Sequence, residues 1–587
     1  APLCAKEHVM PDFIPIDEFV SDEWYPGFSR SEAHAPWIAE RLSTFQPGDE
    51  QRFWLLDFHY PRGMVPLGYI FPEDGICWGT QLAAEMLPLP PSRGLAVRMA
   101  GPHIYSGQAD VSSPWQLESR AERISRNLPG FLEQFPKIWA DRVVELERGL
   151  AHFEDDEHAL GSPAEIGAYF ADAQAFFKRA WEIHFEMMYP LLAAYVGFYG
   201  LCQQFGLDPS EISRFLQGED SKIMEVDRQL WELTSAARRA GLSELFDSTP
   251  AEQLLDAITA SPEEHSDGWL HSFDDFLATH GNRTEGIADV VLPSWREDST
   301  SPLGTIKTFL QKPDDHDFAT AREQSVAERN EAIERARSKL SGAERAQFDE
   351  ALAGCTAANF AWWNEEHNYY IDLRAHLPLR RAALALAAVG GSSDPTDGLF
   401  LFRPEFTAVT RGERTWSSFA GVISERRDFY DEWVARRADL PKVLGTIPDD
   451  IDDPVLRGIF GMGHDFFATI RGGTTGEVLS GVAASGGVVR GRARVLHGAD
   501  ELHRIEPGEI LVCEATSPNW TPAFAKIAGC VCDSGGTLTH AAIVAREYRV
   551  PAVVGTAVAT NVIATGDLIE VDGTTGTVRV VQRAARG

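Results

Sequence analysis

The sequence predicts a multidomain α+β protein in which a long, mostly helical region precedes a compact β/α domain. Three observations lead there. At 587 residues the chain is longer than one hydrophobic core organises, so two to four domains are expected. From about Ser112 to Ala388 apolar residues recur at helical spacing, as in FKRAWEIHFEMMYPLLAAYVGFYGLCQQF, whereas beyond residue 487 they fall in short runs between turn residues. Charge divides at the same place: the net charge is −34, yet from Gly476 onward ten Lys and Arg face eleven Asp and Glu. Nearly all the excess acid sits on residues 1–475, which makes the remainder a compositionally separate unit.

Taken in order, residues 1–110 mix short apolar runs with turn formers, as in PRGMVPLGYIFPEDGICW, and are expected to form loops and a few strands. Residues 111–470 are expected to be mainly helical, interrupted by the glycine–serine stretch VGGSSDPTDG at 389–398. The segment RGGTTGEVLSGVAASGG, 471–487, reads as a flexible linker. In 488–587 the runs VVRGRARVL, EILVCEA, AGCVCD, PAVVG and LIEVDG are expected strands around one helix at 540–548.

No run approaches the ~18 apolar residues of a membrane span, and the first residues lack a basic-then-apolar signal pattern, so a soluble cytoplasmic protein is expected. The seven cysteines are scattered, without Cys-x-x-Cys or zinc spacing, and read as buried thiols; no metal is expected on the chain. The acidic balance disfavours nucleic acid and anionic membrane as partners.

One histidine stands out. In AGCVCDSGGTLTHAAIVAREYRVPAVVG a buried strand and a glycine turn lead to Thr539 as N-cap, placing His540 in the first helical turn. That turn offers free backbone N–H groups and the positive end of the helix dipole, which suit a phosphoryl group carried on an imidazole nitrogen. Glu547 returns to the side of His540, while Ala541, Ala542 and Ala545 keep the other sides thin enough to pack on a sheet. A histidine that merely closes a helix start fits the same spacing.

The longer string, TSPNWTPAF…GCVCDSGGTLTHAAIVAREYRVPAVVGT…GDLIEVDGTTGTV, resembles the mobile phosphohistidine domain of the phosphoenolpyruvate-utilising enzymes, from about Ser480 to Val580. The resemblance implies a swivelling domain in which His540 is the phosphocarrier, with Gly535, Gly536, Thr539, Arg546 and Glu547 around the phosphoryl group. Leu538 stands where plant pyruvate phosphate dikinases carry a regulatory threonine, so that control is not expected. The chain stops eleven residues past Gly576, so the phosphoenolpyruvate-binding barrel of some family members is not expected. Neither an ATP-grasp unit nor a Walker motif is evident, so ATP and Mg²⁺ are expected on a partner subunit.

FHYPRGMVPLGY (58–69), HGNRTEGIADVVLPSWRED (280–298) and NEEHNYYIDLRAHLPLRRAALALA (364–387) resemble the acceptor-binding part of rifampin phosphotransferase. Acceptor and phosphohistidine domains without a nucleotide domain resemble one subunit of the two-component aryl phosphate synthases. That resemblance implies transfer of the β-phosphoryl of ATP to a phenolic hydroxyl, giving aryl phosphate, AMP and Pi with a separate ATP-grasp subunit. A split rifampin-type phosphotransferase and a non-catalytic phosphocarrier or ligand sensor are the alternatives.

A phenol needs an apolar slot, a group to take its proton and cations near the phosphoryl oxygens. Phe177, Trp181, His184 and Met188 follow one another at i, i+4, i+7 and i+11, a stripe that would equally serve as core. His59, His280 and His184 are the candidate bases; His103, with Tyr105 two residues on, sits like His59 and His280 in a loop or at an element end. Arg283 and Glu285 could grip a phosphoryl oxygen and orient a neighbour, or form a structural ion pair. Glu366, His367, Tyr370 and Arg374 form a helical strip that also fits an ordinary salt-bridged face.

Overall fold

A computed structural model describes residues 13–29, 38, 40–87, 92–111, 113–154, 160–212, 214–261, 266–311, 318–448, 460–472, 478–517, 520–537 and 539–584. Cys4, Leu538, the N-terminal residues read for a signal and residues 473–477 of the expected linker lie outside them. The fold is mixed α+β, with a central helical region and a C-terminal sheet domain. Among the described residues no helix is long and apolar enough to cross a membrane, and Cys77, Cys202, Cys355, Cys513, Cys530 and Cys532 are buried free thiols. The chain forms two compact units, one of residues 21–44 and 62–436, the other of 1–20, 45–61 and 437–587.

In the first unit the helices Pro114–Glu154 and Pro163–Gln204 are the longest elements. Ser162 starts the second, accepting the Glu165 N–H, with Pro163 at a position where a missing N–H costs nothing. Ser221 and Asn359 cap Lys222–Arg239 and Phe360–Tyr370 in the same way. The unit also holds three paired strands, Leu42–Thr44, Ser92–Ala100 and His103–Asp110, the first parallel to the second and the third antiparallel to it. The segment read as loops and strands instead holds a helical run from Pro66 to Met86. Pro66 and Pro72 open its turns, and Gly75 and Gly79 let it approach the long helix: a Cβ on Gly75 would lie 3.3 Å from Trp181, one on Gly79 2.6 Å from Phe185. Proline and glycine, read as turn markers, here serve helix initiation and close packing.

In the second unit eight strands lie side by side in the order Val482–Ser485, Ala552–Val554, Gly529–Cys532, Ile510–Cys513, Val488–Val495, Leu568–Asp572, Thr577–Gln582, Val478–Ser480. The four from Ala552 to Val495 in this order run parallel; the outer pairings are antiparallel. Only Gly481 separates the two outermost strands in sequence, so the sheet curls until its edges come close. Gly481 has no space for a side chain, since a Cβ would stand 2.5 Å from the Val554 carbonyl. Alternation sorts the parallel strands: Leu511, Cys513, Cys530 and Cys532 pack with Ala541, Ala542, Val544 and Ala545 of the His540–Glu547 helix, while Val512, Val531 and Val553 pack with Ile569 and Val571.

Candidate functional site

The carboxyl ends of the parallel strands carry Glu514, Asp533 and the turn to His540, the place where open α/β sheets hold ligands. Gly535 makes the turn possible: its φ is +112°, and a Cβ would lie 2.8 Å from the Thr539 hydroxyl. Thr539 is the N-cap residue, but its hydroxyl donates back to the Gly536 carbonyl at 2.8 Å and does not cap the helix.

His540 is the first helical residue and is buried. Nδ1 lies 2.8 Å from the Thr516 hydroxyl and Nε2 3.2 Å from that of Thr521, while the Phe524 ring stands edge-on at 6.2 Å. Burial pushes the imidazole down to about 3, so at neutral pH it is uncharged, with one N–H and one lone pair. One threonine hydroxyl therefore accepts from the ring and the other donates to it. A neutral ring held at both nitrogens in a fixed plane is the state in which histidine is a nucleophile.

Arg546 donates to the carbonyls of Ala484 (3.0 Å) and Thr537 (2.9 Å), tying the end of the helix to the turn before it. Glu547 is half-buried on the same helix. Below the turn, Arg437 grips Glu514 with two contacts, 3.2 and 2.6 Å, and Lys442 stands 3.2 Å from Glu514 and 3.6 Å from Asp533. His59 belongs to this unit as well, half-exposed, with Nδ1 2.9 Å from Asp57 Oδ1.

The other expected site residues lie in the first unit, where one group of elements brings most of them together. His280 ends the helix Ser266–His280, its Nδ1 3.1 Å from the Tyr369 hydroxyl and its Nε2 3.1 Å from Gln229 Oε1. Burial, reinforced by Arg283, lowers its pKa to about 4. The loop after it is pinned to residues 372–373: the N–H groups of Thr284 and Ala288 donate to the carbonyls of Leu373 and Asp372. Arg283 is buried with its guanidinium 4.4 Å from the Trp295 ring centre, and Glu285 accepts from the Trp295 indole at 2.5 Å and from Ser301.

Trp181 and His184, from the long helix, meet His367 from Phe360–Tyr370: the His184 and His367 rings are 4.5 Å apart and those of Trp181 and His184 4.7 Å. Asp372 joins them, 3.5 Å from His184 Nδ1 and 3.4 Å from His367 Nε2. Although burial raises its pKa, the two imidazoles outweigh that and hold the carboxyl well below its usual range. His103 and Tyr105 are fully buried in their strand, with His103 Nε2 3.0 Å from the Trp433 carbonyl, and take no part in this group. Glu366 accepts the Lys222 N–H at 2.7 Å, capping a neighbouring helix.

A cleft of about 360 Å³ opens nearby, lined by Phe153, Tyr169, Asn282, Arg374, Arg380 and Arg381 among others. It combines aromatic walls with arginines, of which Arg374 also lies over the Tyr369 ring at 5.0 Å. Sequence reasoning missed Tyr369, Asp372, His376, Thr516 and Thr521. His376 is the least expected: fully buried, its Nε2 3.2 Å from the Thr284 hydroxyl, it is pushed by burial down to about 3.

These histidines predict an acid limit. His280, His376 and His540 have folded pKa values below the unfolded value of ~6.5, so the unfolded chain binds more protons between the two and stability falls as pH drops below ~6.5. By pH 4.5 the shifts of His376 and His540 correspond to about 2–3 kcal/mol each, that of His280 to somewhat less. Urea melts at pH 7.5 and 4.5 check this; equal midpoints would contradict it.

Residues 505–576 match the PEP-utilising enzyme mobile domain, and residues 184–365 match the rifampicin phosphotransferase fourth domain. The chain is 28% identical over 560 residues to chondramide synthase cmdD of Chondromyces crocatus, covering 91% of this chain and 14% of that protein. It is 27% identical over 550 residues to the uncharacterized phosphotransferase YvkC of Bacillus subtilis (strain 168), covering 91% and 63%. A rifampicin phosphotransferase of a Streptomyces species is 31% identical over 317 residues, covering 53% and 34%. The chain thus spans less than two thirds of the length of each of these relatives, and its relation to rifampicin phosphotransferases and YvkC is a distant one. His540 falls within the mobile-domain match; His184, His280, Arg283 and Glu285 fall within the other.

Proposed function

We propose that this chain is a phosphotransferase subunit that receives a phosphoryl group on His540 and passes it to the hydroxyl of a small aromatic compound bound by the helical unit. The observation that carries the reading is His540 itself: a neutral imidazole, fixed by two threonine hydroxyls, heading a helix within a mobile-domain match. The hydroxyl that donates to the ring gives up that bond, and the freed lone pair attacks phosphorus in line and displaces the leaving oxygen; in the second step the acceptor oxygen attacks, the P–N bond breaks and the ring regains its neutral state. The donor is the β-phosphoryl of ATP, bound with Mg²⁺ on a separate ATP-grasp subunit, and the products are aryl phosphate, AMP and Pi. In the helical unit His280, neutral and bonded to Tyr369, is the base for the acceptor proton, and Arg374, Arg380 and Arg381 supply cations for the phosphoryl oxygens.

The match over residues 184–365 favours a second reading, a rifampicin-type acceptor. The cleft of about 360 Å³ lies near the lower end of the ~300–1,000 Å³ range of small-molecule sites and suits a single ring better than a macrocycle. The test combines the chain with an ATP-grasp subunit and ATP labelled at the β-phosphorus. Acid-labile label on His540 that phenol or p-cresol discharges, with one AMP and one Pi per aryl phosphate, is the expected result. Discharge by rifampicin alone would replace the phenolic reading with the second one, and label that no acceptor removes would leave a phosphocarrier without acceptor chemistry.

A further inference from the structure

His184 comes from one helix and His367 and Asp372 from another segment about 180 residues on, and one donor atom of each lies within 4.8 Å of the others inside the helical unit. All three side chains are buried, with 10%, 2% and 5% of their surface exposed. His367 Nδ1 lies 2.8 Å from the Trp363 carbonyl, which can only accept, so Nδ1 carries a proton. In the neutral ring Nε2 is then a lone pair, and it faces the Asp372 carboxylate at 3.4 Å. Two electron-rich groups held face to face away from water need a cation between them, either a second proton on the ring or a metal ion.

The spacing distinguishes the two. A charge-assisted N–H···O bond measures ~2.7–2.9 Å, and the two imidazole–carboxylate distances here are 3.4 and 3.5 Å. Ligands bound tetrahedrally at ~2.0–2.2 Å to one ion lie about 3.3–3.6 Å apart; His184 to Asp372 Oδ1 and His367 to Asp372 Oδ2 fall in that range, and one donor atom from each residue lies within 4.8 Å of the other two. The surroundings also fit. The hydrogen bond from Nδ1 to a backbone carbonyl fixes tautomer and ring plane, as it does for metal-bound histidines. Trp363 stacks on His367 at 4.1 Å and Trp181 packs on His184 at 4.7 Å, so both imidazoles are walled by aromatic rings.

We propose that His184, His367 and Asp372 bind one divalent transition-metal ion, zinc in class. Two imidazole nitrogens and one carboxylate suit a borderline ion, whereas Mg²⁺ and Ca²⁺ prefer oxygen throughout. Three protein ligands leave a coordination position open, the arrangement that lets zinc act on a bound water or hydroxyl. The sequence carries no such spacing because His184 lies about 180 residues before His367 and Asp372, and only packing of the long helix against the chain from 360 to 372 unites them.

The test is metal analysis of the purified full-length chain and titration of its metal-free form with Zn²⁺ and Co²⁺, with His367→Asn and Asp372→Asn beside the wild type. The expected result is about one equivalent of Zn²⁺ on the wild type, intense tetrahedral-type absorption with Co²⁺, and loss of both in each variant that keeps its circular dichroism spectrum. A Co²⁺ spectrum like that of the free hydrated ion, or Zn²⁺ retained unchanged in a folded variant, overturns the proposal. Should both variants unfold, the wild-type Co²⁺ spectrum decides alone. This readout involves neither His540 nor ATP, so it stands or fails separately from the phosphotransfer reading.

Discussion

His540→Ala is expected to leave the chain folded and to abolish labelling from ATP, with acceptor phosphorylation down at least about 10³-fold. The argument is one of bond-making. On the proposed carrier reading donor and acceptor do not share a site, so there is no route around the nucleophile, and neither threonine beside His540 is an equivalent one. The structural cost is modest: the ring occupies a small space beside Thr516, Thr521 and Phe524, and alanine is a good residue in a helical first turn. Circular dichroism should therefore match the wild type while acid-labile label falls to background. His540→Asn, which keeps polar contact with the threonines, should be equally inactive. Aryl phosphate formed by His540→Ala at near wild-type rate would sink the carrier reading.

How much of this could be read beforehand depended on sequence distance. The left-handed Gly535 and the helix His540–Glu547 behind it are local, set by glycine conformation and N-terminal position, and the structure places the helix where the string predicts. The alternation in GCVC, with cysteines on one face and Val531 on the other, is likewise local. What holds His540 is not: Thr516 and Thr521 are 24 and 19 residues upstream on the neighbouring strand's exit, and a threonine there looks like any loop residue. The aromatic stripe of Trp181 and His184 was visible as a helical face, but nothing in it shows that Asp372, 188 residues on, lies 3.5 Å from His184 Nδ1. His280 and Tyr369 are 89 residues apart and meet only because the 281–296 loop is pinned to the chain beyond Tyr370. The Pro66–Met86 run failed for a different reason, since proline and glycine carry opposite meanings in a turn and at a tightly packed helix start.

Glu514→Ala should be the most damaging single change to stability in the unit that carries His540, costing about 3–5 kcal/mol. Glu514 is buried at the end of the Ile510–Cys513 strand and takes both guanidinium contacts of Arg437 and one from Lys442. Burial raises its pKa, but Arg437 and Lys442 outweigh that and hold the carboxyl well below its usual range, so it stays ionised. Truncation strands the Arg437 guanidinium away from water with no carboxylate to face and leaves the Lys442 ammonium only Asp533, at 3.6 Å, so the penalty comes from those charges more than from the lost attraction. Glu514→Ala together with Arg437→Met, which removes the larger stranded charge, should recover part of the loss. Because the folded pKa lies below the unfolded value of ~4.3, the contribution is complete above that pH and fades as pH falls. The effect should also reach the chemistry, since Thr516, which holds His540 Nδ1, follows Glu514 by two residues. Glu514→Gln, isosteric but uncharged, should therefore label more slowly than wild type at a temperature where it remains folded. Thermal and urea melts of the three variants at pH 7.5 check the stability claim, and a Glu514→Ala protein as stable as wild type would show that the ion pair is not what fixes this strand end.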